Sequence, residues 1–164
     1  MIESIVIFFR RKRKLSGYAT TINCFDGAVQ APARKYMKRR YNVKYVDPIV
    51  EPGIVKILIG ESDDPDAGVI LRQIRKKLKM SIIDHKSRKI SIAAHHNCLG
   101  NPASKEVQEN QLRKAKKVIE KMIAEYELDI EIVLLWIDEH HMPKEVPELL
   151  GNLSFKETLY KTAK

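Results

Sequence analysis

Apolar positions recur along the chain at two alternating periods, and the alternation predicts strands interleaved with helices. Residues 17–23 are rich in β-branched side chains and run into Cys24-Phe25-Asp26-Gly27, where Asp-Gly signals a turn, so a strand leading into a loop is expected. Pro32 suits a first helical position. Ala33, Tyr36, Met37 and Tyr41 then share one helical face, with Arg34, Lys35, Lys38 and Arg39 elsewhere, which predicts a short amphipathic helix. Residues 43–50 read as a second strand, interrupted by Pro48 and closed by Glu51-Pro52-Gly53. The stretch 54–59 is too short for periodicity to decide. In 66–80, Ile70, Leu71, Ile74 and Leu78 fall at helical spacing, with Arg72, Arg75, Lys76 and Lys79 on the remaining surface. A third strand, 89–94, delivers the chain to the loop His95-His96-Asn97-Cys98-Leu99-Gly100-Asn101-Pro102. Ser104 is the expected N-cap of a long helix whose apolar stripe is Ala115, Val118, Ile119, Met122, Ile123 and Tyr126. Residues 130–137 form a near-continuous apolar strand, as expected when both faces of a sheet are covered. Beyond Asp138 the pattern weakens, and 147–164 leaves room for one more short helix.

Strands alternating with helices imply an α/β fold, an open, mainly parallel sheet with helices on both faces. Ligands of such sheets bind beyond the carboxyl ends of the strands. With 164 residues, 44% of them hydrophobic, the chain is expected to form one domain over 1–164, with 1–16 as an N-terminal extension and 140–164 as a C-terminal tail. The apolar content excludes intrinsic disorder. The run Ile5-Val6-Ile7-Phe8-Phe9 is far short of the ~20 residues a membrane span needs. Its basic residues, Arg10-Arg11-Lys12-Arg13-Lys14, follow the run, the wrong order for a secretory signal. A cytoplasmic protein with no membrane partner is therefore expected. The formal net charge of +9 permits nucleic-acid binding. Against it, the basic stretches 38–40 and 72–79 lie on predicted amphipathic helices, where charges cover the solvent face, and no aromatic-interleaved signature accompanies them.

Candidate chemistry gathers at two strand ends. Cys24 follows the first predicted strand, and His95 and Cys98 follow the third. In a reducing compartment a structural disulfide is disfavoured. Two readings stay open on these residues alone: small buried cysteines with an ordinary hydrogen-bonded histidine, or a two-thiolate, one-imidazole set that holds zinc and leaves a fourth position for water. His96 and Asn97 either orient these groups or face solvent. His140-His141 reads as surface histidines, because neighbouring side chains in an extended segment diverge. Asp63, Asp64 and Asp66 lack the glycine and terminal glutamate of a calcium loop and read as a solvated turn before a helix.

Cys24-x-Asp26-Gly27 after the first strand, with His95-x-x-Cys98-Leu99-Gly100 after a later one, resembles the β-class carbonic anhydrases, most closely their short prokaryotic members. The resemblance covers roughly 18–139 and includes the strand ending Leu135-Trp136-Ile137-Asp138-Glu139. It implies a β-carbonic-anhydrase-like fold and a zinc ion on Cys24, His95 and Cys98. Asp26 is implied as the catalytic carboxylate beside the open position, where a water of lowered pKa attacks carbon dioxide to give bicarbonate in a reversible lyase reaction. It also implies a homodimer or a larger homo-oligomer. One departure matters: the family's first motif reads Cys-x-Asp-x-Arg, and here Ala28 replaces the arginine that pairs with the aspartate. An unpaired carboxylate beside a dication is drawn onto it. The expectation is therefore Asp26 as a fourth metal ligand and a closed, silent site, used for binding or regulation. Leu99, where relatives carry glycine, is expected to narrow the space near the metal. Carbonyl sulfide and carbon disulfide are the alternative substrates that the resemblance implies.

Overall fold

The computed structural model describes residues 17–148. Strands β1 (Tyr18–Asn23), β2 (Tyr45–Val50), β3 (Lys89–His95), β4 (Glu131–Ile137) and β5 (Pro143–Glu145) form one sheet in the order β2-β1-β3-β4-β5. The first four pair in parallel, and β5 joins antiparallel at the edge, with Leu135 opposite Glu145 and Ile137 opposite Pro143. Helices α1 (Gly27–Tyr41), α2 (Ile54–Leu58), α3 (Ala67–Lys79) and α4 (Lys105–Ile123) connect them. A π-helical turn, Met80–Asp84, prolongs α3, and a 3-10 turn, Ala124–Tyr126, ends α4. Among the described residues no helix is long and apolar enough to cross a membrane.

The period of two along the strands sorts their side chains between the faces. Ile90, Ile92 and Ala94 of β3 and Ile132, Leu134 and Trp136 of β4 pack with Ile54 and Leu58 of α2, Ile74 and Leu78 of α3, and Leu112, Ala115 and Ile119 of α4. Ala93, Leu135 and Ile137, one residue out of phase, meet Val29 and Ala33 of α1 on the opposite face. Both faces are thus covered, which is why β3 and β4 read as apolar runs. Ser104 caps α4 as expected, its Oγ accepting from Val107 N–H at 3.4 Å.

One sequence expectation changes, and two stretches that the pattern left open gain an element. The first helix starts at Gly27, well before Pro32, because the Asp26 carboxylate caps it by accepting from Ala28 N–H at 2.9 Å. Pro32 lies inside the helix and leaves one intrahelical bond unmade. The undecided stretch 54–59 contains α2, whose Ile54, Val55, Ile57 and Leu58 are all buried. Strand β5 follows a turn built around buried Asp138, whose Oδ1 accepts from His140 and Met142 N–H at 3.0 and 2.9 Å while Oδ2 pairs with Lys144 Nζ at 2.9 Å. The apolar run 5–9, the basic cluster 10–14 and all but the first two residues of the proposed final helix, 147–164, lie outside the described residues.

The sheet order places a switch point in the middle of the molecule. From β1 the chain moves to β2 on one side, then returns to lay β3 on the other, so the connections leaving β1 and β3 diverge above their carboxyl ends. A crevice at such a point is where open α/β sheets take ligands. Cys24 follows the last residue of β1, and His95 is the last residue of β3.

Candidate metal centre

The diverging connections bring three of the sequence candidates together. One ligand atom each from Cys24, His95 and Cys98 lies within 4.8 Å of the others, and all three residues are buried. The two Sγ atoms are 3.7 Å apart. Two thiolates on one tetrahedral zinc, each at ≈ 2.3 Å, would stand about 3.8 Å apart, so the spacing fits a shared ion without rearrangement. His95 Nδ1 donates to the His96 carbonyl at 2.9 Å, which in the neutral imidazole leaves Nε2 free of a proton. That Nε2 is buried and has no hydrogen-bond partner. A buried, unpartnered nitrogen aimed at two sulfurs is the donor a metal would satisfy. Between them lies a cavity of about 10 Å³, lined also by Gly53, Asn101 and Gln108, room for roughly one water-sized occupant.

The backbone prepares both sulfurs for negative charge. The N–H groups of Asp26 and Gly53 face Cys24, and those of Gly100 and Asn101 face Cys98. The Cys98 thiol donates to Cys24, and that bond, against the opposing effect of burial, holds the Cys24 thiol well below the usual thiol range. Cys98 is pushed up, first because it donates that proton and second because it is buried. Burial works against the charged form of His95, but the Cys24 thiolate and the His96 carbonyl outweigh it, and the net shift is upward. A dication competing for the shared proton would leave both sulfurs as thiolates.

Asp26 lies beside this group rather than within it: its main-chain N–H faces Cys24 and its charge favours the charged form of His95. Its side chain is exposed, lies outside the three-atom cluster, and is engaged as the α1 cap. Among the described residues it forms no ion pair, so neither Arg34 nor Lys35 takes the place of the missing arginine. The expectation that nothing restrains the carboxylate is corrected in one respect: the Ala28 main chain holds it, although the Ala28 side chain cannot. Leu99 does not narrow the cavity, since it is 97% exposed. His96 and Asn97 face solvent, and His96 acts on His95 through its carbonyl alone. His140 and His141 are exposed.

Sequence reasoning missed the glycines that close the site. Gly53 has φ +57°, and a Cβ there would stand 2.2 Å from the Gly100 carbonyl oxygen; a Cβ on Gly100 would stand 2.5 Å from Gly53 N. The turn before α2 and the loop carrying Cys98 therefore touch backbone to backbone, an approach only glycine allows. The Pro52-Gly53 pair was visible as a turn, but its second role depends on a loop far away in sequence. Gln108 was missed too. Its Nε2 donates to the carbonyls of Asn101 (3.3 Å) and Ala103 (3.0 Å), while Asn101 Nδ2 donates to Gln111 Oε1 at 2.7 Å, tying the Cys98 loop to α4.

Comparison with known proteins follows the same lines. A family model described as putative carbonic anhydrase matches residues 15–147. The crystal structure of carbonic anhydrase from Streptococcus mutans is similar at 13% identity and TM-score 0.52, over 80% of this chain and 82% of that one. A structure from work on two tetrameric β-carbonic anhydrases of the ascomycete Sordaria macrospora aligns at 13% identity and TM-score 0.48, over 82% of each chain. At such identities the likeness concerns the fold, and the first of the two bears on it. No curated protein sequence matches the chain.

Proposed function

The chain belongs to the putative carbonic anhydrase family, with the mainly parallel α/β fold of the β-class enzymes, and from that premise we propose that it binds zinc through Cys24, His95 and Cys98 and hydrates carbon dioxide reversibly to bicarbonate. The observation that carries the reading is the buried Cys-His-Cys group, with its Sγ spacing of 3.7 Å and its unpartnered Nε2. Zinc held there would supply Lewis acidity, lowering the pKa of water enough to furnish a nucleophile near neutral pH. The protein's part is to hold two thiolates under four main-chain N–H groups and to fix the His95 tautomer through the His96 carbonyl. Beside Cys98 opens a cleft of about 590 Å³, lined by His96, Asn97, Leu99, Pro102 and Trp136, which is the proposed approach for a small electrophile.

Asp26 is assigned to orienting water and accepting its proton rather than to the metal. Its carboxylate is solvated and tied to the α1 N-terminus, and moving it onto an ion would break a cap worth about 1 kcal/mol as well as its hydration. This restraint is weaker than a buried arginine pair, so a slower enzyme is expected. The closed reading, Asp26 as fourth ligand, draws its support from Ala28. Stopped-flow hydration on zinc-loaded protein separates them. Under the open reading wild type is active, Asp26→Asn keeps its zinc and is slowed, and Ala28→Arg changes little. An inactive wild type that gains activity in Ala28→Arg supports the closed one. The same assay with carbonyl sulfide and carbon disulfide ranks the substrates.

A homodimer or larger assembly is proposed as well. Phe25 and Leu99, each following a candidate ligand, leave 64% and 97% of their surfaces exposed, an apolar rim that a second copy would cover. Sedimentation equilibrium checks it, with a monomer at working concentration as the contrary result.

A further inference from the structure

A separate cavity of about 630 Å³ lies between α1 and the turn that leads into β5. It shares no lining residue with the metal centre or with the cleft beside Cys98. Three cations of α1 line it, Lys35, Arg39 and Arg40, and across from them Met142 and Pro143 join Pro32 in an apolar wall. Spacings of four set Lys35 and Arg39 on one stripe of the helix and Pro32, Tyr36 and Arg40 on the next. Met142 keeps 59% of its surface exposed.

No carboxylate lines this cavity. Glu145 of β5 pairs with Arg40, Nε to Oε1 at 3.3 Å, and accepts from the Tyr36 hydroxyl, so Arg40 is compensated and anchored. Among the described residues neither Lys35 nor Arg39 forms an ion pair. Two positive charges one helical turn apart therefore border the same void, an arrangement that destabilises a helix by itself. The contrast with α4 is direct. There Glu109 sits four residues from both Lys105 and Arg113, and Glu120 four from Lys116, whereas α1 contains no Asp or Glu. Cations in the last turn of α1 complement its dipole, but Lys35 precedes that turn.

We propose that this cavity binds a small organic phosphate monoester. Two uncompensated charges match that group, which carries about −1.5 to −2 at pH 7 and presents three acceptor oxygens. A carboxylate brings one negative charge and leaves one cation unmatched. An ammonium and a guanidinium one turn apart can hold separate oxygens of one phosphate. The volume falls within the range of about 300–1,000 Å³ usual for small organic ligands. Pro32, Met142 and Pro143 offer the ester's organic body an apolar wall that inorganic phosphate would leave bare. The proposal is independent of zinc and of catalysis.

The test is isothermal titration calorimetry of the full chain with phenyl phosphate as the probe, beside inorganic phosphate and benzoate. Phenyl phosphate is expected to bind about tenfold more tightly than either. Each charge-assisted contact is worth about tenfold, so Lys35→Gln/Arg39→Gln lowers its affinity at least tenfold. Met142→Ser lowers it about threefold and leaves inorganic phosphate unaffected. Arg34→Gln/Lys38→Gln, an equal loss of charge on α1 outside the cavity, keeps it within about twofold, because solvent and salt screen the more distant charges. Phosphate esters also ligate zinc, so Cys98→Ser is titrated too and should bind like wild type. Circular dichroism confirms that each variant folds. The proposal is overturned by absence of saturable binding, by inorganic phosphate or benzoate binding as tightly as phenyl phosphate, or by a Lys35/Arg39 variant that binds like wild type. Equal losses in the Arg34/Lys38 variant, or loss of binding in Cys98→Ser, overturn it as well.

Discussion

Replacing Gly53 by alanine should loosen the metal centre without touching a candidate ligand, and a second glycine provides the control. Gly53 and Gly60 both have positive φ, +57° and +73°. At Gly60 an added Cβ meets nothing within 4 Å, whereas at Gly53 it stands 2.2 Å from the Gly100 carbonyl oxygen. Gly60→Ala therefore carries only the left-handed backbone strain, about 1–2 kcal/mol, reduced by about 0.5 kcal/mol because alanine stiffens the unfolded chain. Gly53→Ala carries that strain and must also part the two loops by roughly 1 Å to reach van der Waals contact. That displacement weakens the main-chain N–H contacts to Cys24 and Cys98, a further loss of about 2 kcal/mol. The expected totals are about 1 kcal/mol for Gly60→Ala and about 3 kcal/mol for Gly53→Ala. Equilibrium urea unfolding, read as a change in midpoint at constant slope, measures both, and zinc competition with a chromophoric chelator gives affinity. Gly53→Ala should lose zinc affinity and Gly60→Ala should keep it. Equal destabilisation by the two variants, with zinc affinity unchanged, would refute the loop-contact argument.

Two other expectations follow from single side chains. Lys144, then the N–H groups of Met142 and His140, hold the Asp138 carboxyl down to about 2, below the ≈ 3.9 of an unfolded chain. Its stabilising contribution is complete above about pH 4 and disappears as pH falls through about 2, so Asp138→Asn should be less stable at neutral pH and should flatten the acid limb of the unfolding profile. An acid limb identical to wild type would show that the β4–β5 turn does not depend on this charge. Cys98→Ser removes one thiolate, and zinc should then no longer raise the thermal midpoint as it does in wild type, because binding and folding are linked. A zinc-induced rise equal to that of wild type would remove Cys98 from the site.

Much of the fold was legible because parallel strands buried on both faces must be apolar and surface helices must repeat near 3.6. The runs 89–94 and 130–137 and the helices around Ile74 and Ile119 obeyed those rules. Illegibility had local causes. Pro32 suits a first helical position and Asp26-Gly27 reads as a turn, yet the Asp26 carboxylate caps the helix and sets its start at Gly27. Strand β5 has three residues and no periodicity; its pairing depends on the Asp138 turn, which is made by main-chain donors that the sequence does not display. At the candidate site, residue types at strand ends were enough to nominate Cys24, His95 and Cys98. The close contact of Gly53 with Gly100 was not visible, since each glycine is explained locally by a turn and only the assembled sheet brings the two loops together. Asp26 was misjudged on one point: its partner is a main-chain N–H, and a substitution at Ala28 does not remove a main-chain donor.

Zinc-edge X-ray absorption on metal-loaded wild type and Cys98→Ser tests the central assignment most directly, because sulfur and nitrogen or oxygen scatter at distinct distances from the metal. The account predicts two sulfurs near 2.3 Å and two lighter atoms near 2.0–2.1 Å in wild type, with one sulfur remaining in the variant. A wild-type spectrum without sulfur, or one unchanged by Cys98→Ser, would contradict it.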